Sequence, residues 1–267
     1  MRTDCPEGTK MRYCLLKIAY DDSFFGFQIQ PNLRTVQGEI LKALAPIGVN
    51  KVYGSSRTDS HVRSASSIIE VAHSDPLKVC KIVDSIKGIM VRGYFETDEF
   101  VNLRKSLQKE YVYFCDRRLN KRLLQRVIKQ FLEGKLESFS RDPAKKVVLS
   151  RILFSVGSSH TVFLFEGRSF SWNFVRIAAE SIIRRSEGKI GDEEWRQLLS
   201  GDKKARYKGS ASNLILYRTS TDFEFKHYES RHIHEMKSRM FQDFYWLTGI
   251  DTGAREITDS IDFINGK

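Results

Sequence analysis

Arg12-Tyr13-Cys14-Leu15-Leu16-Lys17-Ile18-Ala19-Tyr20 is the stretch from which the fold can be read. Leu16, Ile18 and Tyr20 fall on one side of an extended segment, with Leu15, Lys17 and Ala19 on the other, because successive side chains of a strand alternate between faces. Asp21, Asp22, Gly26, Pro31 and Asn32 then break the chain. Thr35 is placed as a helix N-cap, its hydroxyl available to a free first-turn amide, and Val36, Ile40, Leu41 and Leu44 form one helical stripe behind it. Pro46 and Gly48 stop that helix. Val49 to Gly54 and Ser64 to Ala72 read as strands. Pro76 opens a second helix with Val79, Ile82, Val83 and Ile86 inward, and Gly88 ends it. Ile89 to Phe95 is a further strand. The order is β-α-β-β-α-β.

The rest of the chain repeats that order. Glu110 to Cys115 is a strand. Leu123, Leu124, Val127, Ile128 and Phe131 mark a helix ended by Gly134. Val147 to Val156 and Thr161 to Phe165 are strands joined by a turn at Gly157-Ser158-Ser159. Phe174, Ile177, Ala178 and Ile182 mark the next helix, Asp192 to Leu199 a short polar one, and Leu214 to Tyr217 a closing strand. The expected fold is therefore α+β: two ferredoxin-like domains in one mixed, largely antiparallel sheet. Helices cover one face of such a unit and leave the other available to a ligand. The expected boundaries are 1–107, 108–224 and a helical extension over 225–267. In that extension Ile233, Met236, Met240, Phe244 and Leu247 recur at helical spacing. It packs on its own domain, meets a second copy, or touches a ligand.

Composition narrows the function classes. The 267 residues carry 44 Lys+Arg against 33 Asp+Glu, a formal charge of +11. At 41% hydrophobic residues there is enough apolar material for a packed core, which argues against disorder. No apolar run approaches the roughly 20 residues of a membrane span. The first ten residues lack the apolar centre of a secretory signal, so a soluble, cytoplasmic protein is expected, with nuclear or mitochondrial placement left open. The positive excess points to a polyanion, most simply nucleic acid, or to a merely basic enzyme; charge does not separate the two. Cys5, Cys14, Cys80 and Cys115 form no C-x-x-C pair, and His232, His234 and Glu235 have no second cluster to complete a site, so no metal is expected.

One loop carries most of the chemistry: Gly54-Ser55-Ser56-Arg57-Thr58-Asp59-Ser60-His61-Val62-Arg63-Ser64. Arg57 and Arg63 flank Asp59 closely, which favours its ionised form and gives the loop a field suited to phosphate. The plain alternative is a turn aspartate making local hydrogen bonds. A Ser56/Asp59/His61 hydrolytic triad is set aside, since members so close in sequence rarely reach triad geometry and no oxyanion-hole motif accompanies them.

Other blocks stand around this loop. Tyr20-Asp21-Asp22, Gly26-Phe27-Gln28-Ile29-Gln30-Pro31 and Arg34-Thr35-Val36-Gln37-Gly38-Glu39 precede it. Lys109-Glu110-Tyr111-Val112-Tyr113, Phe170, Phe174-Val175-Arg176 and Asn213-Leu214-Ile215-Leu216 follow. The series, in this order, resembles the TruA family of tRNA pseudouridine synthases over about Tyr13 to Phe223. The resemblance implies an isomerase that detaches uracil from C1′ of a uridine in tRNA, in the anticodon stem-loop, and rejoins it through C5 without a cofactor. It implies Asp59 as the catalytic residue, acting either as a nucleophile or by abstracting a ribose proton. The target base is flipped into a pocket, and Arg57 fills the vacated space or binds adjacent phosphate. Tyr111 matches the active-site tyrosine, with a ring that stacks on an unpaired base or a hydroxyl that relays a proton. On its strand it shares a face with Lys109 and Tyr113; Tyr113 is alternatively buried between domains. Arg176 matches the arginine paired with the catalytic carboxylate, and by helical angle points out of its own core; the alternative is a surface pair with Glu180. Leu214 matches an apolar residue packed on the target base, or is an ordinary core leucine. Arg63 and Lys109 are expected at phosphate and in the cleft between domains. A homodimer is also implied.

The sequence departs from the family pattern at His61, which stands for a glycine, and at Ser56, Phe27 and Asp22. The competing reading is a non-catalytic RNA-binding module of the RRM kind, against which stands the missing Gly-Phe-Gly-Phe-like core in the Lys109 strand.

Overall fold

The protein is described by a computed structural model covering residues 12–103, 107–142 and 144–232. Strand β1 (Tyr13–Tyr20) leads to helix α1 (Val36–Leu44), a 3-10 turn (Ala45–Ile47), β2 (Tyr53–Gly54), β3 (Arg63–Ala72), α2 (Pro76–Asp84) and β4 (Ile89–Thr97). Then come β5 (Gln108–Cys115), α3 (Lys121–Glu133), β6 (Val148–Val156), β7 (Thr161–Ser169), α4 (Phe174–Ser186), α5 (Asp192–Ser200), β8 (Leu214–Ser220) and β9 (Lys226–His227). The fold is α+β, with five α-helices among the described residues and one mixed, largely antiparallel open sheet. Its order is β6-β7-β5-β8-β3-β1-β4-β9, with β2 on β3.

The strand order within each half is the same. In the first, β1 lies between β3 and β4; in the second, β5 lies between β7 and β8, all antiparallel. The halves meet through β3 and β8, which run parallel and pair only at Arg63–Ile215 and Ser64–Leu216. The far end of that β3 edge is taken by β2, at Ile69 and Glu70. One edge of one strand thus serves both halves, and the loop leaving β2 must emerge where they join.

Local chemistry accounts for the helices. Thr35 Oγ1 accepts from Gly38 N at 3.2 Å, as expected of an N-cap. Asp75 and Asn120 cap α2 and α3 in the same way, accepting from Lys78 N at 2.9 Å and Leu123 N at 3.1 Å. Val36, Ile40 and Leu44, with Val79 and Val83, pack under the face of β1 that carries Leu16, Ile18 and Tyr20. A second core joins Leu124, Val127 and Phe131 of α3 and Phe174, Ile177, Ala178 and Ile182 of α4 to Tyr111, Tyr113, Phe163 and Phe165 on the sheet.

Three expectations are corrected. The strand over 49–54 shrinks to Tyr53–Gly54, because Val49 N and Val52 O bond to Leu44 O and the Gln37 amide instead of a ladder. The reverse face of the first half is not free: Leu15 and Ile68 are fully buried under Leu103, Leu107, Phe223 and Phe225. Residues 226–227 form an edge strand on β4, made possible at Gly93, where a Cβ would sit 2.7 Å from Lys226 O. The helix expected from Ile233 onward lies outside the described residues.

Candidate active site

The Asp59 loop is gripped from two sides before any side chain of interest is placed. At its start, Ser55 N donates to Ile68 O at 2.8 Å and Ser55 Oγ accepts from Ile68 N at 3.1 Å, extending the β2–β3 pairing. At its centre, Phe27 N donates to Thr58 O at 3.2 Å and His61 N to Phe24 O at 3.0 Å. The Tyr20 and Thr58 hydroxyls lie 2.9 Å apart in the core. Gly26 has φ +86°, and a Cβ on it would stand 2.8 Å from Thr58 O, so glycine is required for contact and conformation alike. Gly26 O and Phe27 O in turn accept from Val36 N at 3.1 Å and Gln37 N at 2.9 Å. The Gly26-Phe27 dipeptide therefore satisfies the free amides of the α1 N-terminus on one side and holds the Asp59 loop on the other. Gln37 completes the brace, accepting from Ile29 N at 3.1 Å and donating to Val52 O at 2.7 Å.

Asp59 faces the second half. Arg176 Nη1 donates to Asp59 Oδ2 at 3.1 Å, across 117 residues of sequence. The other edge of that guanidinium is fixed, since Arg176 Nε donates to Gly209 O at 2.9 Å while Gly209 N donates to Arg176 O at 3.2 Å. Gly209 can come so near only because it lacks a side chain; a Cβ there would lie 1.9 Å from Tyr113 Oη. The i+4 alternative for Arg176 is not formed, as Glu180 pairs with Arg184 at 2.7 Å. Asn173, at the N-cap of α4 with φ +59°, is diverted from capping its own helix. With its amide oriented to satisfy both neighbours, its nitrogen donates to Asp59 Oδ2 at 2.8 Å and its oxygen accepts from Trp172 Nε1 at 2.9 Å. One carboxylate oxygen thus receives two hydrogen bonds, one of them from a cation, both from the start of α4.

Tyr111 reaches the same loop from β5, donating from Oη to Ser56 Oγ at 3.2 Å and meeting Phe170 edge-on at 5.0 Å between ring centres. Burial, with a smaller contribution from the Asp59 charge, pushes its hydroxyl up to about 12 against the opposing Ser56 hydrogen bond, so it stays protonated at neutral pH. Tyr111 and Tyr113 lie on the helix-covered face of the sheet rather than on an open one. Leu214 is in the same core at 5% exposure, and Tyr113 is buried there too, among the helices of the second half rather than between domains.

The remaining cations separate. Arg57 is exposed and lines a cavity of about 550 Å³ with Lys51, Tyr53 and Phe100. Arg63 is 3% exposed, and its Nη2 donates to Asp22 Oδ2 at 2.6 Å. Lys109 is 5% exposed and donates to Leu107 O at 3.2 Å and Arg168 O at 3.3 Å. The two arginines that flank Asp59 in sequence thus have different surroundings: Arg57 faces solvent, while Arg63 is buried at the β3–β8 junction with Asp22 as a partner. The departure at His61 is accommodated locally. His61 keeps φ +63° despite its side chain, and its Nδ1 bonds Asp22 O at 2.8 Å, so ring and backbone lock the turn a glycine would otherwise make. Asn173, Gly209 and Trp172 were not singled out from the sequence; a polar residue before a helix and a glycine in a polar loop have many uses. Among the described residues no group of three His, Cys, Asp or Glu could hold a metal, and no helix is long and apolar enough to cross a membrane.

No protein-family model matches the chain. The tRNA pseudouridine synthase A of Pyrococcus furiosus is 31% identical to it over 196 residues, covering 70% of this chain and 74% of the relative. The protein of the same name from Thermococcus sibiricus is 32% identical over 223 residues, covering 76% and 82%. That of Thermosipho melanesiensis is 28% identical over 243 residues, covering 78% and 99%. Among solved structures, the archaeal box H/ACA sRNP Nop10–Cbf5 complex overlaps 64% of this chain and 43% of its own at a TM-score of 0.34 and 13% identity, too slight a likeness to carry a structural argument. With identities above 30% sustained over more than two thirds of such relatives, the chain belongs to the TruA family of tRNA pseudouridine synthases, isomerases that convert uridine to pseudouridine in tRNA.

Proposed function

We propose that the protein isomerises uridine to pseudouridine in the anticodon stem-loop of tRNA, with Asp59 as its catalytic carboxylate and no cofactor. The observation that carries this reading is the Asp59–Arg176 contact at 3.1 Å, which brings a loop of the first half and a helix of the second onto one carboxylate. Asp59 either attacks the nucleotide or removes a ribose proton. In both routes the C1′–N1 bond breaks, the uracil turns, and a C1′–C5 bond forms, with the bond to Asp59 broken again in the first route and the ribose proton returned in the second. The C5 proton then leaves and N1 gains one, so the product is an isomer. Arg176 and Asn173 leave the second oxygen, Oδ1, for the nucleotide. Tyr111, protonated at neutral pH, suits a hydrogen-bond donor or proton relay better than a base. Its ring is buried, which favours packing against a base that enters the pocket over stacking on an open sheet.

The repeated β-α-β-β-α-β order supports two ferredoxin-like domains, over 1–107 and 108–224, with 225–267 as an extension and an RNA-binding cleft along their junction. Exposed Arg57 is well placed to occupy the space left by a flipped base or to bind its phosphate. Arg63 and Lys109, both buried, act on RNA only through the loop and strand they brace, and Leu214, opposite Tyr113 on β8, is part of the apolar core that also holds Tyr111. The target is extruded from a stem-loop because loop bases leave the stack at least cost. A cytoplasmic homodimer completes the reading. The test incubates the protein with tRNA transcripts and maps pseudouridine. Wild type should form product, and Asp59→Ala should lose at least about 10³-fold in rate with tRNA binding kept. Binding without product on every tRNA would instead favour the RNA-binding module.

A further inference from the structure

Trp172 is 64% exposed, the most exposed large apolar side chain among the described residues. A single exposed apolar residue needs no explanation by itself. This one is held. Its carbonyl accepts from Arg141 N at 3.0 Å, and the preceding Ser171 is anchored through Oγ to Ser140 Oγ at 2.6 Å. Its indole N–H donates to Asn173 Oδ1 at 2.9 Å, and the nitrogen of the same side-chain amide donates to Asp59 Oδ2 at 2.8 Å. Asn173 itself is 8% exposed and sits in a left-handed backbone conformation that asparagine tolerates better than most side chains. A line of two hydrogen bonds therefore runs from an exposed aromatic ring to the catalytic carboxylate. Exposed Arg141 adjoins the ring through the backbone, and Lys145 donates to Phe170 O at 3.2 Å nearby, placing cations suited to phosphate on the same rim.

We propose that Trp172 is a stacking platform for an unpaired RNA base beside the target uridine, and a positioning residue that orients Asp59 through Asn173. An indole face binds any base, which suits an enzyme reading shape rather than sequence at that nucleotide. The indole N–H has only one productive direction, so a base that orders the ring also orders the Asn173 amide, and with it Asp59. The inference rests on the isomerase reading above.

Two substitutions separate the roles. Trp172→Ala removes ring and N–H; tRNA transcript should bind roughly 5- to 150-fold more weakly, the range expected for one lost base–aromatic stack. Trp172→Phe keeps a stacking ring without the N–H. Its tRNA affinity should stay within about 3-fold of wild type, while its single-turnover rate falls roughly 5- to 10-fold, the scale of one lost hydrogen bond. Tryptophan fluorescence should be quenched when tRNA binds the wild type, and most of that quenching should vanish in Trp172→Phe. Wild-type tRNA affinity in Trp172→Ala, or full quenching in Trp172→Phe, overturns the stacking role. A full single-turnover rate in Trp172→Phe overturns the positioning role. Failure of the isomerase reading is recognised separately, by absence of pseudouridine from the wild type, whereas the affinity and quenching measurements still report on the platform.

Discussion

The two halves of the molecule share a strand order and share nothing in what they contribute. The first supplies Asp59 from a loop whose position is set almost wholly by backbone hydrogen bonds, from Gly26-Phe27 and from β3. The second supplies Asn173 and Arg176 from the first turn of α4, a rigid element packed on a large core. The reverse faces differ as well. That of the first half is sealed by Leu103, Leu107, Phe223 and Phe225, whereas Phe114, Leu164 and Tyr217 of the second remain only partly buried. A duplicated architecture thus sets where two elements meet, and the loops and helix starts at the meeting point set the chemistry. Because β3 and β8 pair at only two positions, the Asp59–Arg176 contact is one of the few polar ties between the halves, and its loss should be felt in catalysis first.

Breaking that tie gives the largest expected effect. Arg176→Ala removes the cation from Asp59 and the donor to Gly209 O, and should lower the single-turnover rate by about 10²–10³-fold, the scale seen when one preorganised donor is removed. Arg176→Lys should recover only part, because an ammonium cannot hold both contacts in one plane. If the alanine variant keeps a wild-type rate, the halves are not chemically coupled.

Next comes the support of the tie. Gly209→Ala drives a methyl group into Tyr113 Oη and should destabilise the fold by about 1–3 kcal/mol in denaturant unfolding, as overpacking does. Adding Tyr113→Phe should restore part of that loss, and a double mutant no more stable than Gly209→Ala alone would show that the close approach does not involve the hydroxyl.

The smallest effect concerns the sealed face. Glu70 is fully buried on β3 and accepts from Val101 N at 2.7 Å, and burial raises its carboxyl above the usual carboxylate range. The folded chain therefore keeps this proton to higher pH than the unfolded chain. The stability tied to the protonated form is present at low pH and declines as pH rises through the raised folded value. Glu70→Gln, which keeps an acceptor for Val101, should make the protein more stable at neutral pH, with the gain fading as pH falls below the ordinary carboxylate range. Thermal unfolding at both pH values checks it; equal gains would mean that ionisation at this site is not coupled to folding.

Much of this was legible in the residues. Alternation in 12–20, the apolar run of 64–72, the Thr35 cap and the 3.6-residue stripes placed the five described helices and most of the described strands, since these signals are local and need no knowledge of neighbours. Strand 49–54 was overread because Gln37, distant in sequence, claims the backbone of Val52. Asp59, Arg176 and Tyr111 were reached through motif resemblance, and their side chains do converge. Arg57 and Arg63 flank Asp59 alike in sequence; which of the two turns inward depends on the register of β3 against β8. His61 stood out in sequence only as a side chain in place of a glycine, and the fold shows its ring bonded to the Asp22 carbonyl in a left-handed turn.

By itself, then, the sequence determined the kinds of elements and their order, because periodicity and capping act within a few residues, while motif resemblance singled out Asp59. Only the tertiary structure decided which cations remain in solvent, that Asn173 and Gly209 serve Asp59 and Arg176, and that Trp172 stands exposed beside them. Those outcomes depend on contacts between separate segments, 33 residues apart for Arg176–Gly209 and 117 for Arg176–Asp59, where a hydrogen bond is made or missed by an ångström that no local pattern encodes.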